Sequence, residues 1–236
     1  MASFLFSIFA FVSYTLLDMG LDVWRRTESS QEASSQLQKA RYALRRDLTA
    51  ASLNELSILD SPEGSILWFL SPMDTGSEEL ALDLDGAPLW QRNVIYYTAV
   101  PEEHDTLFPG TCSGDPDVCP HKLLIRRELD TGVTTHGNSP LGRAEELLSE
   151  DDLLAEVLRP RNMVEGLDVN SSVVARNIFE FEVSLDPDNW REVEIKVSGF
   201  HLEEAGKKVD LRNLEEVTPY IKQIRFVVYP LNTKEK

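Results

Sequence analysis

Two cysteines, Cys112 and Cys119, carry the clearest chemical signal in the sequence, and they are the only two in the chain. They enclose the segment Ser-Gly-Asp-Pro-Asp-Val. Two cysteines so close in a loop with Gly and Pro predict a disulfide in an oxidising compartment, which would stabilise the fold by about 2–3 kcal/mol. The alternative is a metal site that adds His121 and either Asp115 or Asp117. Zinc sites usually have two close ligand pairs, and the sequence offers no second pair, so the spacing favours the disulfide.

The acidic segment around Asp83, Asp85 and Gly86 suggests part of a calcium-binding loop, but too few ligands follow it. Calcium needs six or more oxygen ligands, and an EF-hand loop would have Glu where this chain has Asn93. A hairpin turn accounts for Asp85-Gly86 in full. The sequence also lacks a His-Glu-x-x-His motif, a Gly-x-Ser-x-Gly motif and a phosphate-binding Gly-rich loop. We therefore predict no catalytic residue, no metal and no cofactor.

The charge of the chain restricts its partners. Forty acidic residues against 23 Lys and Arg give a net charge of −17. Such an excess argues against nucleic acid and against anionic lipid headgroups as partners of the globular part. The residues that follow the N-terminal segment number about 180, which is enough for one domain with a proper core.

The first half of a long N-terminal helix is predicted to lie in a membrane. Residues 1–17 contain no charge, no Gly and no Pro, and the first Pro of the chain is Pro62. A cleaved signal peptide would need a basic start and a small-residue cleavage site, and neither is present. A buried core helix would need only one apolar face, whereas this one is apolar all round. We predict a span over residues 1–24, with Phe4, Phe6, Ile8, Phe9, Phe11, Val12, Leu16 and Leu17 against lipid or other helices.

The second half of this helix, residues 25–53, is predicted to be amphipathic. Its apolar positions are spaced by 4, 3, 4, 4 and 3 residues and therefore fall on one face. Gln38, Arg45 and Glu32 fall outside this stripe and are expected to face water. The stripe should pack the helix on the rest of the protein through Ala33, Leu37, Ala40, Leu44, Leu48 and Ala51.

Residues 54–236 are predicted to form a β-rich head. A connection over residues 54–64, ending in a Ser-Pro-Glu-Gly turn, should precede the first strand. Residues 145–158 are predicted to form a helix or two short ones. The alternation of the strands predicts an antiparallel sheet with one covered face, and the amphipathic helix is its natural cover, which makes the fold α+β. The predicted strands are residues 65–70, 79–84, 88–100, 122–129, 173–185, 191–198 and 224–229.

An apolar helix that passes into an amphipathic one ending in Arg45-Arg46-Asp47-Leu48 resembles type IV pilin-like proteins. The likeness is closest to the minor pilins and minor pseudopilins of the W and J types, and four later segments resemble them in order. Those segments are residues 57–71, 94–97, 124–128 and 174–177.

The resemblance implies a pilin-like fold and a structural, non-enzymatic role in a type IV pilus or a type II secretion pseudopilus. The implied partners are other minor subunits, the filament, and inner-membrane lipid before assembly. The implied location is the bacterial inner membrane, crossed once, with the head in the periplasm, where a disulfide would persist.

Members of this family carry a basic leader that ends in Gly before Phe-Thr-Leu-x-Glu, and residues 1–7 resemble the part just after that Glu. Either the coding sequence starts upstream of Met1 or this chain lacks the processing signal. The basic residues, from Arg25 and Arg26 onward, all follow the span. By the positive-inside rule alone they would place the head in the cytoplasm, and a basic leader would reverse that assignment. The alternatives are a membrane-anchored periplasmic enzyme and a binding module on a coiled-coil stalk.

Overall fold

The computed structural model describes residues 2–52, 56–73, 79–82, 84–86, 88, 90–101, 103–104, 115–135, 168–186, 192–201, 213 and 218–230. In this part of the chain, one long helix precedes a sheet of seven strands that pair antiparallel in chain order. The α+β layout predicted from the sequence is confirmed. The elements are α1 (Ala2–Ala50), β1 (Ser57–Ser61), β2 (Gly64–Ser71), β3 (Trp90–Ala99), β4 (Lys122–Thr135), β5 (Asp168–Leu185), β6 (Val193–Phe200) and β7 (Ile221–Val228).

Helix α1 runs without a break for 49 residues, a length of about 74 Å at 1.5 Å per residue. It contains no Pro, and Gly20 is its only Gly. The helix ends at Ala50, three residues before the predicted end. There the backbone N–H of Ala51 donates to the carbonyl of Leu48 at 3.1 Å, and the N–H of Ser52 donates to Leu70 in β2 at 3.3 Å. The chain therefore leaves the helix directly onto the sheet.

The sheet is curled because β5 bends. The pairing of β4 with β5 shifts between the partners Lys122↔Ile178 and Leu124↔Ala175, which places a bulge at residues 176–177. Asn177 has a φ of 56°, a left-handed conformation that Asn adopts more readily than most residues. Beyond this bulge the strand approaches β2, and the N–H of Val183 donates to Ser65 Oγ at 3.1 Å. The concave side of the curl holds the second half of α1.

The buried stripe of α1 forms the centre of the main core. Its six apolar residues are each 4% exposed or less. Fully burying one leucine side chain contributes about 1.5–3 kcal/mol. Gly199 in β6 lets the helix lie close, since a Cβ there would stand 3.3 Å from Leu37 Cγ. The stripe consists of Ala33, Leu37, Ala40, Leu44, Leu48 and Ala51. All of it except Ala33 belongs to one buried cluster with Leu67, Phe69, Val94, Tyr96, Leu124, Ala175, Ile178, Phe181, Val183, Val193, Ile195, Val197 and Val228.

The prediction of a single covered face is wrong. A second buried cluster lies on the opposite side of β2, β3 and β4, and there Trp68 Nε1 donates to Asn93 Oδ1 at 3.0 Å. The physical reason is visible in β2, where residues 65–71 are all buried. A continuous apolar run of this kind is typical of a strand covered on both faces. The cluster consists of Ile66, Trp68, Ile95, Tyr97, Ile125 and Leu129.

Four further predictions of local structure have mixed outcomes. Residues 57–61, predicted as part of a connection, form the edge strand β1, which is short and lacks clear alternation. The predicted strand over residues 79–84 is wrong, because its described residues make only the isolated bridges Met73↔Leu80 and Leu82↔Pro88. The turn predicted at Asp85-Gly86 is present, with Gly86 at a φ of 79°. The helix predicted over residues 145–158 lies outside the described residues.

Replacing Gly64 should weaken the turn between β1 and β2. Gly64 has a φ of 136°, and a Cβ there would lie 2.9 Å from the carbonyl oxygen of Phe181 and 3.0 Å from Thr98 Oγ1. We expect Gly64→Ala to lower the free energy of unfolding by about 1–3 kcal/mol in urea denaturation. Gly86→Asn is the control, because the site is open and Asn tolerates a positive φ, so the change should stay within about 0.5 kcal/mol. Equal effects of the two variants would contradict this assignment.

Candidate functional site

The first half of α1 lies outside the folded head. Every described side chain from Phe4 to Glu28 is exposed, and the most apolar 18-residue window of the helix is 0% buried. By length and composition, this helix is long and apolar enough to cross a membrane. The eight residues predicted to face lipid or other helices are 46–72% exposed, and they are Phe4, Phe6, Ile8, Phe9, Phe11, Val12, Leu16 and Leu17.

The head begins to hold the helix at Ser30. Lys222, at the start of β7, donates from Nζ to the carbonyl of Ser30 at 2.8 Å and to Ser34 Oγ at 2.9 Å. Two residues after Ser34, Gln36 Oε1 accepts a hydrogen bond from the backbone N–H of Arg176 at the β5 bulge, at 3.1 Å. These contacts join β5 and β7 to the same stretch of helix. The transition from protruding helix to packed helix therefore takes place within about two turns.

The far end of α1 is held by a buried network of charges. The Asp47 carboxylate is buried and accepts hydrogen bonds from Arg46 Nε at 2.8 Å, from the Tyr96 hydroxyl at 2.8 Å, and from Arg126 Nε. Arg126 also donates to Glu128 Oε2 at 3.0 Å. Glu128 is buried and pairs in turn with Arg92 of β3. The network therefore joins the last turn of the helix to β3 and β4.

The electrostatics of this network raise the pKa values of Arg126 and Tyr96. Burial alone would lower the pKa of Arg126, but the Asp47 carboxylate and its hydrogen bond raise that pKa above the ordinary arginine value. Burial, reinforced by the Asp47 charge, raises the pKa of Tyr96 well above its usual range, so its hydroxyl remains a donor. A carboxylate in the last turn of a helix opposes the helix dipole, and Arg46 and Arg126 offset that cost.

The sequence interpretation missed Asp47 as a buried residue, although one signal was available. Asp47 follows Leu44 by three positions and precedes Ala51 by four, which is the spacing of the buried stripe itself. A carboxylate on a buried helical face needs cationic partners. Those partners could not be identified from the sequence, because Tyr96 and Arg126 lie 49 and 79 residues away.

Cys119 is disulfide-bonded, and the described part of the chain contains no free cysteine. Cys112, its predicted partner, lies outside the described residues, so the pairing of these two cysteines stays a prediction. Cys119 Sγ lies 3.5 Å from Nε2 of the buried His104, whose ring centroid is 5.5 Å from that of His121. His121 Nδ1 lies 3.4 Å from Oδ1 of Asn177, the left-handed residue of the bulge. The two histidines thus connect Cys119 to the bend in β5.

The alternative metal site finds no support in this arrangement. A disulfide-bonded Cys119 has no thiolate to offer a metal. Within the ranges that the structure describes, no group of three or more His, Cys, Asp or Glu side chains is placed to hold a metal ion. His121, Asp115 and Asp117 belong to those ranges, whereas Asp83 of the calcium alternative lies outside them.

His121 should make the fold less stable in mild acid. Burial lowers its pKa, a hydrogen bond to Asn177 opposes this, and the charge of His104 adds to the lowering. Unfolding returns His121 to an ordinary pKa of about 6.5, so below that pH the unfolded chain binds more protons. Stability is therefore lost as pH falls from about 6.5 through the lowered pKa. His121→Gln, which keeps a partner for Asn177, should flatten the curve of unfolding free energy against pH in this window, and parallel curves would contradict the prediction.

Comparisons with protein-family models, with curated proteins and with solved structures return no match for this chain. They identify neither a pilin-like family nor any other. The features that bear on function are therefore three: the exposed apolar first half of α1, its packed second half, and the buried charge network that joins the helix to the head.

Proposed function

We propose that this protein is a pilin-like structural subunit, a minor pilin or minor pseudopilin. The first half of α1 would hold it in the bacterial inner membrane before assembly, with the head in the periplasm. One observation carries the proposal: a single unbroken helix is apolar and exposed in its first half, and is the core of an antiparallel sheet in its second half. The disulfide at Cys119 supports an oxidising compartment.

The exposed half of α1 suits both a membrane and a helical filament. Its uncharged residues 2–17 span about 24 Å, somewhat less than a hydrocarbon core of about 30 Å, and Asp18 and Asp22 follow. A helix that is apolar on all sides can exchange lipid contacts for contacts with other helices at little cost, because the two surroundings are equally apolar. Such a subunit can leave the bilayer and enter a bundle of similar helices.

The packed half of α1 favours a pilin-like head over a coiled-coil stalk. A stalk needs a free apolar stripe for a partner helix. Here Leu37, Leu44 and Leu48 are already buried in the main core with the chain's own sheet. The Asp47 network and the Lys222 contacts then fix the helix to the head at both ends of this stripe. Movement of the helix would therefore carry the head with it.

The DNA upstream of codon 1 provides the test of the family. The proposal expects an in-frame extension that encodes a basic leader ending in Gly, followed by Phe-Thr-Leu-x-Glu. N-terminal sequencing of the protein purified from its own cells should then find a start upstream of Met1. In-frame stop codons directly upstream would contradict the pilin-like assignment and favour the membrane-anchored alternatives.

A further inference from the structure

The exposed side of α1 carries a basic groove that the fold does not cover. It has a volume of about 470 Å³, and we call it the basic strip. Tyr42 in its centre is 72% exposed, and Arg45 is also exposed. Exposed Tyr and Arg side chains are the types most enriched at the energetic centres of protein interfaces. The strip is lined by Gln38, Arg41, Tyr42, Arg45, Arg46 and Thr49.

The basic strip stands out against the charge of the remaining chain. Residues 1–50 contain six basic and five acidic residues and carry a net charge of +1, so the remaining residues carry −18 of the total of −17. Of the arginines in the strip, Arg46 pairs with Asp47 and Arg41 lies over the ring of Phe226 at 5.9 Å. The strip is therefore a local positive surface on a strongly negative molecule.

A second concave surface, with the opposite charge, lies at the turn between β1 and β2. Its volume is about 390 Å³, and we call it the acidic cavity. The amino group of Lys122, which lines it, donates to the carbonyls of Glu63 and Asp117 at 3.0 Å each. Asp60, Asp117 and Glu182 are exposed. The carboxylates that line the cavity are Asp60, Glu63, Asp117, Glu180 and Glu182. Lys196 pairs with the last two, at 2.8 and 2.9 Å, so the excess of negative charge comes mainly from Asp60, Glu63 and Asp117.

We propose that the basic strip of one molecule docks against the acidic cavity of a second copy of this chain. The two surfaces share no residue, so one molecule can use both at once. A contact between two different patches of identical chains is heterologous, and it continues into a ring or an open chain instead of stopping at a dimer. Complementary charge sets the orientation and speeds the encounter. The proposal rests on the filament role proposed above and deepens it. Its own evidence is the charge and exposure of the side chains that line the two surfaces.

Charge substitutions on each surface separate the two sides of the contact. Gln38→Glu with Arg45→Glu changes the summed charge of the side chains that line the strip from +3 to 0, and both side chains are exposed. Asp60→Lys with Asp117→Lys changes that of the side chains that line the cavity from −4 to 0, and these side chains are exposed as well. The full chain is studied in an uncharged detergent by sedimentation velocity, at about 50 mM and about 500 mM salt. Arg225→Glu, an exposed change outside both surfaces, is the matched control.

The wild-type chain should self-associate at low salt, and its association should weaken at least about tenfold at high salt. Each of the two double variants alone should associate at least about tenfold more weakly, because one of its two surfaces has then lost its net charge. An equal mixture of the two should associate again, since the unchanged cavity of the first meets the unchanged strip of the second. The proposal would be overturned if the wild-type chain is monomeric, if the mixture does not recover association, or if neither pair of substitutions changes association. In the last case the contact would belong to the apolar half of α1. These outcomes are independent of the test for an upstream leader.

Discussion

Leu44→Ala is expected to lower the free energy of unfolding of the head by about 2–5 kcal/mol, as deletion of a fully buried leucine does. Leu44 is 0% exposed and lies in the centre of the stripe that packs into the curled sheet. The substitution removes its contacts and leaves a cavity between the helix and the strands. Urea denaturation of the two proteins, followed by tryptophan fluorescence, measures the difference.

Arg45→Ala, one position along the same helix, is the matched control. Arg45 is exposed, so its removal should change the free energy of unfolding by no more than about 0.5 kcal/mol. Sedimentation of both variants distinguishes the packed helix from a coiled-coil stalk. A stalk predicts that Leu44→Ala weakens oligomerisation and leaves the unfolding of the head unchanged. That pattern, or no effect on either property, would contradict the packing described here.

Arg126→Ala should destabilise the head by about 3–5 kcal/mol, because it leaves the buried Asp47 carboxylate without its cationic partner on the sheet. Asp47 would keep Arg46, whose side chain is 41% exposed and therefore screened by solvent. Glu128 would keep Arg92. The main loss is thus the attachment of the last turn of α1 to β4, and thermal or urea unfolding measures it.

Two comparisons make this prediction specific. Arg225→Ala removes an ion pair with Glu194 whose side chains are 63% and 42% exposed, and it should cost no more than about 1 kcal/mol. The double variant Asp47→Leu with Arg126→Met removes both charges and should be more stable than Arg126→Ala alone. If Arg126→Ala and Arg225→Ala had equal effects, the network would contribute no more than a surface pair.

The sequence predicted the elements whose signals are local. The stripe of α1 follows from residues three and four positions apart, and the β1–β2 turn follows from one Ser-Pro-Glu-Gly segment. β1 was missed because an edge strand of five residues has little periodicity and forms by pairing with β2. The second covered face does not follow from the alternation of the later strands, because β2 does not alternate and its residues 65–71 are all buried.

The contacts that fix the helix to the head could not be predicted, since they depend on tertiary pairing. Asp47 meets Arg126 only after β3 and β4 have paired in register, with Tyr96 opposite Arg126. His121 reaches Asn177 only once β5 has bent. Spacing along the chain identified the cysteines and His121 as chemically notable, but it gave no indication of His104, which lies 15 residues before Cys119.

The most direct test of this account removes residues 1–24. The exposed half of α1 contributes nothing to the core, whose first buried residue is Ala33. The full chain should sediment with membranes and be extracted by detergent but not by salt. Residues 25–236 should be soluble and should unfold in one cooperative transition. An insoluble truncated protein, or one without a cooperative transition, would place the first half of the helix in the core and contradict the membrane-anchored subunit.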